Sequence, residues 1–291
     1  MQTKYSDIRH FTADAYFDAH LPAEIIFYKQ ELTLWHDHDF YELALVVSGQ
    51  GFHKTLERKT PVKSGSLLFV KPGEVHSYQV NSESLSIINV LIKPVFFENA
   101  FLANLLQGIV KTECIAQLVP GSQSYKRLRD NLQLLKDEEN SERSFRFEMF
   151  SSLIYEVLCI SARSFSSYET DSATRKYNEL IAAYINENLN RKPCLEDISG
   201  LTGLSASHIT RNFKNITGYT FVEMINEYRI QKICGELVNT DKDIDEIYNQ
   251  SGYKNKVYFH RAFKRVTGVS PLQYRKQLTK GHPEIEFLST K

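Results

Sequence analysis

An internal repeat near the C-terminal end restricts the fold of this chain more than any other feature of the sequence. Residues 207–218 and 257–268 align at an offset of fifty, and Arg, Phe, Lys, Thr and Gly are identical in both copies. Upstream of each copy, an isoleucine and a glycine also align, at an offset of forty-nine (Ile198 with Ile247, Gly203 with Gly252). Each copy therefore predicts a short helix, a glycine-containing turn and a second helix.

The second helix of each copy has an apolar face and a basic face. In the later copy, Phe259, Phe263 and Val266 predict the buried face, whereas Arg261 and Lys264 predict the polar one. This pattern is typical of a helix-turn-helix module, whose second helix enters the major groove of DNA. The alternative is a pair of structural helical hairpins with solvated basic faces. The same register of basic residues in both copies favours DNA binding.

The segment between the two copies predicts one long helix. Apolar residues recur at helical spacing from Thr220 to about Asn239, and a helix of ~20 residues is roughly 30 Å long. Successive major-groove openings on one face of B-DNA lie about 34 Å apart. A helix of this length can therefore hold two recognition helices in adjacent turns of one duplex.

Composition restricts the class of protein and its compartment. The chain has 35 basic and 35 acidic residues in total. Residues 1–170 contain 17 basic and 21 acidic residues, whereas residues 171–291 contain 18 basic and 14 acidic residues. The slightly basic C-terminal part is the one that suits a polyanion.

No apolar run is long enough to cross a membrane and no secretory signal is visible. The four cysteines are widely spaced, as in a reducing cytoplasm, where we expect the protein to act.

The N-terminal part predicts strands first and helices afterwards. Residues 24–28, 41–48, 66–70 and 86–92 are short segments rich in β-branched and aromatic residues, typical of an antiparallel sandwich or barrel. From Pro94 to about Phe165 the apolar spacing is helical. One apolar stripe in this zone either packs on the barrel or forms a helix–helix dimer seam, and we favour the dimer seam. It consists of Phe150, Leu153, Ile154, Val157 and Leu158. Residues 161–174 are polar and predict a linker.

Residues 178–277 resemble the DNA-binding domain of AraC/XylS-type bacterial transcription regulators. The matching motifs include Leu195-Glu196-Asp197-Ile198, Phe213-Lys214, Thr217-Gly218, Gly252-Tyr253, Phe263-Lys264 and Ser270-Pro271. The resemblance implies an α+β protein with three parts. They are a cupin-like antiparallel barrel with following helices for ligand sensing and dimerisation (residues 1–165), a linker (166–177) and an all-α domain with two helix-turn-helix modules (178–291).

The same resemblance implies which residues meet DNA. The candidate base-reading residues lie on the second helix of each module, where arginine suits bidentate contact with guanine. They are Ser207, Thr210 and Arg211 in the first module, and Asn255, Lys256, His260 and Arg261 in the second. Lys214, Lys264 and Arg265 are candidates for phosphate contacts, which position the protein without specifying sequence.

A histidine cluster in the N-terminal part resembles the two motifs of the cupin barrel. The first is His36-Asp37-His38 followed by Glu42 and Gly49, and the second is Pro72-Gly73 followed by His76. In metal-binding cupins the equivalents of His36, His38, Glu42 and His76 converge on one metal ion, and imidazole and carboxylate suit divalent iron, manganese, nickel or zinc. Sensor domains of the regulator family resemble cupins and often keep such residues as ligand-pocket or structural groups without metal. We therefore expect no cofactor, apart from the divalent metal ion that the resemblance allows.

The aromatic residues Trp35, Tyr41 and Tyr78 flank this cluster, and aromatic faces beside polar groups suit a sugar. We therefore predict a DNA-binding transcription regulator, not an enzyme, that responds to a small molecule, expected to be sugar-like, in the barrel. Its expected partners are double-stranded DNA, the effector, a second copy of the chain and RNA polymerase. Two alternatives stay open: a metal-dependent cupin dioxygenase or isomerase with a DNA-binding tail, and a regulator whose barrel only dimerises.

Overall fold

A computed structural model describes residues 9–18, 20–30, 35–81, 84–110, 114–165, 180–181, 183–189 and 193–279. Its N-terminal part is built from strands and three helices, and the last strand lies between the first and second of these helices. The strands are β1 (Arg9–Phe11), β2 (Ala23–Gln30), β3 (His36–His38), β4 (Tyr41–Ser48), β5 (Gln50–Thr55), β6 (Lys59–Lys63), β7 (Ser66–Val70), β8 (His76–Val80), β9 (Leu85–Ile92) and β10 (Ile115–Gln117). The helices are α1 (Ala100–Val110), α2 (Gln123–Glu139) and α3 (Arg146–Phe165).

The strands form two five-stranded sheets that share one core. The first sheet has the order β1-β3-β8-β5-β6 and the second has the order β10-β7-β4-β9-β2. Neighbouring strands are antiparallel except for the short β1–β3 pair. Val62 and Tyr78 of the first sheet pack with Ala44, Val46 and Leu68 of the second. The antiparallel barrel expected from the sequence is confirmed.

Helices α1 to α3 cover the outer face of the second sheet. Phe150, Ile154, Val157 and Leu158 of α3 are fully buried there with strand residues such as Leu43 and Val90. The apolar stripe of α3 therefore belongs to the core of the protomer, and our assignment of it to a dimer seam was wrong. The barrel offered enough apolar surface to cover the stripe, which periodicity alone could not show.

The C-terminal part consists of short helices punctuated by glycine. They are α4 (Leu195–Thr202), α5 (Ala206–Thr217), α6 (Phe221–Asn239), α7 (Ile244–Gln250), α8 (Lys256–Thr267) and α9 (Pro271–Thr279). Gly203, Gly218 and Gly268 end α4, α5 and α8 in the left-handed region, with φ of +71°, +76° and +84°, where a side chain is strained. None of the helices in the described ranges is long and apolar enough to cross a membrane.

The two parts of the chain pack against each other. Trp35, Leu56 and Val75 of the barrel share a buried cluster with residues of the first helix-turn-helix module, among them Ile198, Ile209 and Tyr219. The predicted linker at 161–174 begins too early, because α3 continues to Phe165 with Ser161 buried in it. The remainder of that linker lies outside the described residues.

Candidate functional site

The first recognition helix, α5, presents polar side chains opposite a buried one. Ile209 is buried, whereas Ser207, Thr210 and Lys214 are exposed, as the DNA-binding assignment requires. The side chain of Arg211 lies outside the described set. The Thr210 hydroxyl donates to the carbonyl of Ala206, so part of its hydrogen-bonding capacity is used within the helix.

The second recognition helix, α8, carries a larger basic surface. Arg261, Lys264 and Arg265 are exposed, while Phe259, Phe263 and Val266 are buried beneath them. His260 is half-buried, and its ring lies 5.0 Å from that of Phe259. Three arginine and lysine side chains on one face make this helix suitable for contact with DNA phosphates and bases.

Two predicted base-reading residues of α8 already have partners within the protein. The side-chain oxygen of Asn255 accepts a hydrogen bond from the backbone N–H of Tyr258 at 2.9 Å and so caps the helix. Lys256 forms an exposed ion pair with Asp245. An exposed pair of this kind is weak, so Lys256 can exchange its partner for a phosphate or a base. Asn255 supports the helix that presents the other side chains.

The histidines meet inside the barrel because of strand register. His36 on β3 pairs directly with His76 on β8, and Glu42 enters from β4 of the opposite sheet. One ligand atom from each of His36, Glu42 and His76 lies within 4.8 Å of the other two. The Nε2 atom of His38 lies 3.6 Å from Glu42 Oε2. The structure thus brings together all four residues predicted from the cupin motifs.

Burial determines the protonation of this cluster. Desolvation lowers the pKa of His38 to about 3 and places that of His76 well below its usual value. Burial also raises the pKa of Glu42 to about 8, although a hydrogen bond from Asn89 opposes the shift. At neutral pH these histidines are uncharged and Glu42 carries its proton. The buried part of the cluster therefore has no net charge of its own.

Each of two histidines uses one ring nitrogen within the protein and leaves the other without a partner. His38 Nδ1 donates to the carbonyl of Phe40 at 2.7 Å, and His76 Nδ1 lies 3.1 Å from His53 Nε2. Among the described residues, His38 Nε2, His76 Nε2 and Glu42 Oε1 have no hydrogen-bond partner. Unpaired buried polar atoms cost about 1–3 kcal/mol each, so a cluster of them indicates a site that a ligand completes.

His53 is a site residue that our sequence reasoning missed. It lies on β5 opposite Tyr78 and on the same face of the sheet, and its ring is 5.3 Å from that of His76. Burial lowers its pKa to about 3, so it is uncharged. The signal was present, because a histidine on a strand next to the cupin motifs points either into the barrel or away from it. Choosing between the two faces requires the register with β8.

Two of the three aromatic residues predicted for the pocket lie elsewhere. Tyr78 is inside, with its ring 5.1 Å from that of His53. Tyr41 points out of the barrel and stacks on Phe69, 5.6 Å away, beneath the helices. Trp35 is buried at the contact with the first helix-turn-helix module. The assignments of Tyr41 and Trp35 to the pocket were wrong, because each directly precedes a cluster residue and so faces the opposite side.

The donor set fits a divalent transition metal ion. Zinc lies about 2.0–2.2 Å from histidine nitrogen and carboxylate oxygen, which places its ligand atoms roughly 3–4 Å apart. The His36, Glu42 and His76 atoms lie within 4.8 Å of one another, so they need to approach by up to about 1–2 Å to reach that geometry. In addition, His38 and His76 each have Nδ1 engaged and Nε2 unpaired, which is how outer partners orient metal-binding histidines.

Comparisons with known proteins agree with both halves of this description. A family model of the AraC-like ligand-binding domain matches residues 27–158, and one of a helix-turn-helix domain matches residues 198–277. The HTH-type transcriptional activator RhaR of Klebsiella pneumoniae is 27% identical over 256 residues, 86% of this chain and 90% of that protein. RhaR of Mannheimia succiniciproducens is 21% identical over 94% of this chain and 99% of its own length.

Solved structures also match this chain, over all or part of its length. ToxT from Vibrio cholerae is 17% identical, with 88% of this chain and 98% of that chain covered and a TM-score of 0.42. The C-terminal domain of AraT from Geobacillus stearothermophilus is 29% identical over 39% of this chain and 90% of its own, with a TM-score of 0.32.

Proposed function

Because this chain is an AraC-family transcription regulator with a ligand-binding domain and a helix-turn-helix domain, we propose that a small effector bound at the histidine cluster controls how α5 and α8 engage DNA. The observation that carries the proposal is the group of buried polar atoms without partners, His38 Nε2, Glu42 Oε1 and His76 Nε2, facing one another in the barrel. A ligand that satisfies these atoms binds one arrangement of the protein better than another, which is the condition for a response.

We propose two chemical classes of effector. A sugar-like molecule is supported by the ring of Tyr78 beside histidine and carboxyl groups, which can hydrogen-bond to hydroxyls. A divalent metal ion is supported by the convergence of His36, Glu42 and His76, and by the nearly complete burial of His38, Glu42 and His76, which favours a small ligand. A bound metal ion would supply a positive charge that holds these ligands together. The relatives named as transcriptional activators give no support to the alternative of a metal-dependent enzyme.

A thermal-shift screen separates the two classes. The full chain is heated with sugars, organic acids and divalent metal ions, because a ligand at 100 times its Kd stabilises the folded state by about 2.7 kcal/mol. The matched variant is His76→Ala. We expect it to lose both the shift and the effector's influence on DNA affinity. A shift that survives in His76→Ala places the effector outside the cluster and contradicts the proposal.

We propose that the protein acts as a homodimer through the outward side of α2 and α3. Leu134 of α2 and Met149 of α3 line one surface depression there and are exposed at 51% and 52%, although large apolar side chains are costly to leave in water. Met149→Glu should dissociate the dimer in sedimentation at micromolar concentration. The control, Leu272→Glu on α9, introduces the same charge at a similarly exposed apolar residue and should leave the dimer intact. An undissociated Met149→Glu protein would contradict this surface.

We further propose that the dimer acts in the cytoplasm, where its DNA is accessible, and that it activates transcription by contacting RNA polymerase. The name that its relatives carry, transcriptional activator, supports activation. Transcription in vitro from a bound promoter, with and without the protein, tests this part of the proposal.

A further inference from the structure

Two successive residues of β5 reach the effector cluster and the DNA-binding domain. His53 points into the barrel, where its Nε2 lies 3.1 Å from His76 Nδ1. Lys54 points to the opposite face of the sheet, as alternation along a strand requires. There its Nζ donates to Glu227 Oε2 of α6 at 2.9 Å. One peptide unit of β5 thus separates the cluster from an ion pair that joins the two domains.

Both side chains of the Lys54–Glu227 ion pair are buried. Lys54 is 0% exposed and Glu227 is 7% exposed. The Lys54 ammonium group lies 5.1 Å from the centre of the Trp35 ring, and Trp35 belongs to the apolar cluster shared with the first module. Removing one partner of a buried ion pair leaves an uncompensated charge in a low-dielectric site. The pair is therefore intact only when barrel and α6 are docked in this arrangement.

The same turn of α6 also reaches the second module. Asn226, the residue before Glu227, donates from Nδ2 to the Tyr258 hydroxyl at 3.3 Å. Its Oδ1 accepts from the Tyr253 hydroxyl at 3.0 Å. Tyr258 lies on the recognition helix α8. A change in the position of this turn is therefore transmitted directly to the helix that carries Arg261.

We propose that Lys54 and Glu227 are the coupling residues of this regulator, through which the state of the histidine cluster sets the position of the recognition helices. The inference rests on the proposed function, because it assumes that the cluster is where the effector binds. Occupation of the cluster reorients His76 and with it His53, and β5 carries that movement to Lys54 on its other face. The ion pair then favours one docking geometry of α6.

The coupling can be measured without knowing the effector. The probe is the duplex that the full chain selects from a randomised pool, with a random duplex as reference, and the variants are His53→Gln, Glu227→Gln and their combination. His53→Gln and Glu227→Gln should each change the Kd for the selected duplex by about fivefold or more. In the combined variant, the effect of His53→Gln should disappear, because the pair that transmits it is gone.

Two controls keep the result specific. Glu236→Gln alters another ion-paired carboxylate of α6, one that contacts Lys242 within the C-terminal domain. In that background the effect of His53→Gln should remain. The reversed pair Lys54→Glu with Glu227→Lys keeps opposite charges in contact and should restore the effect of His53→Gln. If Glu227→Gln fails to fold, the DNA affinity is measured with and without His53→Gln in the reversed-pair protein instead. No change in affinity on His53→Gln in that protein would count against the proposal.

Independent effects of His53→Gln and Glu227→Gln on DNA affinity would overturn the coupling role. That failure differs from a failure of the proposed function. The latter would show as a wild-type protein whose DNA affinity no sugar, acid or metal ion alters, whatever the result of the double-mutant cycle.

Discussion

The two helix-turn-helix modules share a sequence pattern but differ in what surrounds them. The core of the first includes Trp35, Leu56 and Val75 of the barrel. The buried core of the second is drawn entirely from residues 230–274. The glycines that end the recognition helices show the same contrast. A Cβ on Gly218 would lie 2.0 Å from the carbonyl oxygen of Lys59, whereas one on Gly268 would meet nothing within 4 Å. Among the described residues, the core of the first module thus includes part of the sensor and that of the second does not, and we call them the docked module and the free module.

This difference gives the modules different tasks. The sensor can act on the first module by direct contact, and α6 links it to the second. The charge distribution agrees, because the free helix α8 exposes Arg261, Lys264 and Arg265. We therefore expect the second module to supply most of the contact with DNA, and we expect the first module to respond to the sensor directly and the second through α6.

The largest effects should come from removing one aromatic residue from each core. Trp35→Ala and Phe263→Ala each delete a nearly inaccessible ring and should cost about 3–5 kcal/mol. Hydrogen exchange of the full chain should show Trp35→Ala releasing protection in the barrel and first module, and Phe263→Ala releasing it in the second. Loss of protection throughout the C-terminal part in both variants would mean that the two modules are one cooperative unit.

The glycine pair gives a smaller and sharper test. Gly268→Ala should cost only the left-handed backbone strain, about 1–2 kcal/mol. Gly218→Ala carries the same strain and also forces its Cβ onto the Lys59 carbonyl, so it should cost more and loosen the domain contact. Denaturant unfolding and limited proteolysis of both variants measure the difference. Equal losses would show that the first module is not held against β6.

The arginines at matching positions of the repeat test whether both modules read bases. Arg211→Ala and Arg261→Ala should each weaken binding to the selected duplex by about 1–3 kcal/mol, with little effect on random DNA. Fluorescence anisotropy with both duplexes makes the measurement. A loss confined to Arg261→Ala would assign sequence reading to the free module alone.

The smallest expected effect concerns phosphate contacts. Lys214→Ala and Lys264→Ala should weaken all duplexes alike, and each should reduce the slope of log K against log salt by about one unit. Titrations at several salt concentrations provide the slopes. A slope that changes only for Lys264→Ala would indicate that the docked module stays off the DNA backbone.

Local patterns were sufficient for much of the fold. Strands β4 and β7 begin and end where the sequence predicts, because dense apolar residues are bounded by turn residues there. Helix α6 likewise occupies the predicted segment, with a capping box of Thr220 and Glu223 at its start. Strands β5 and β8 are rich in polar residues and gave no comparable signal.

The contacts between domains could not be predicted in the same way. A lysine in a strand is ordinarily exposed, and nothing near Lys54 indicates that its partner lies 173 residues further along the chain. By contrast, the errors at Trp35 and Tyr41 were avoidable. Strand alternation places neighbours of His36 and Glu42 on the opposite face, so these rings could have been excluded from the pocket.

The shared core has a consequence for exchanging parts between regulators of this kind. Tyr219, Met224 and Tyr228 are covered partly by barrel residues, so a hybrid joined within residues 166–177 would carry them against a foreign sensor surface. Such a hybrid should aggregate or lose its response unless the new sensor supplies counterparts of Trp35, Leu56 and Val75. A working hybrid therefore has to preserve the buried contact between the sensor and the first module, which a junction chosen in the predicted linker alone does not do.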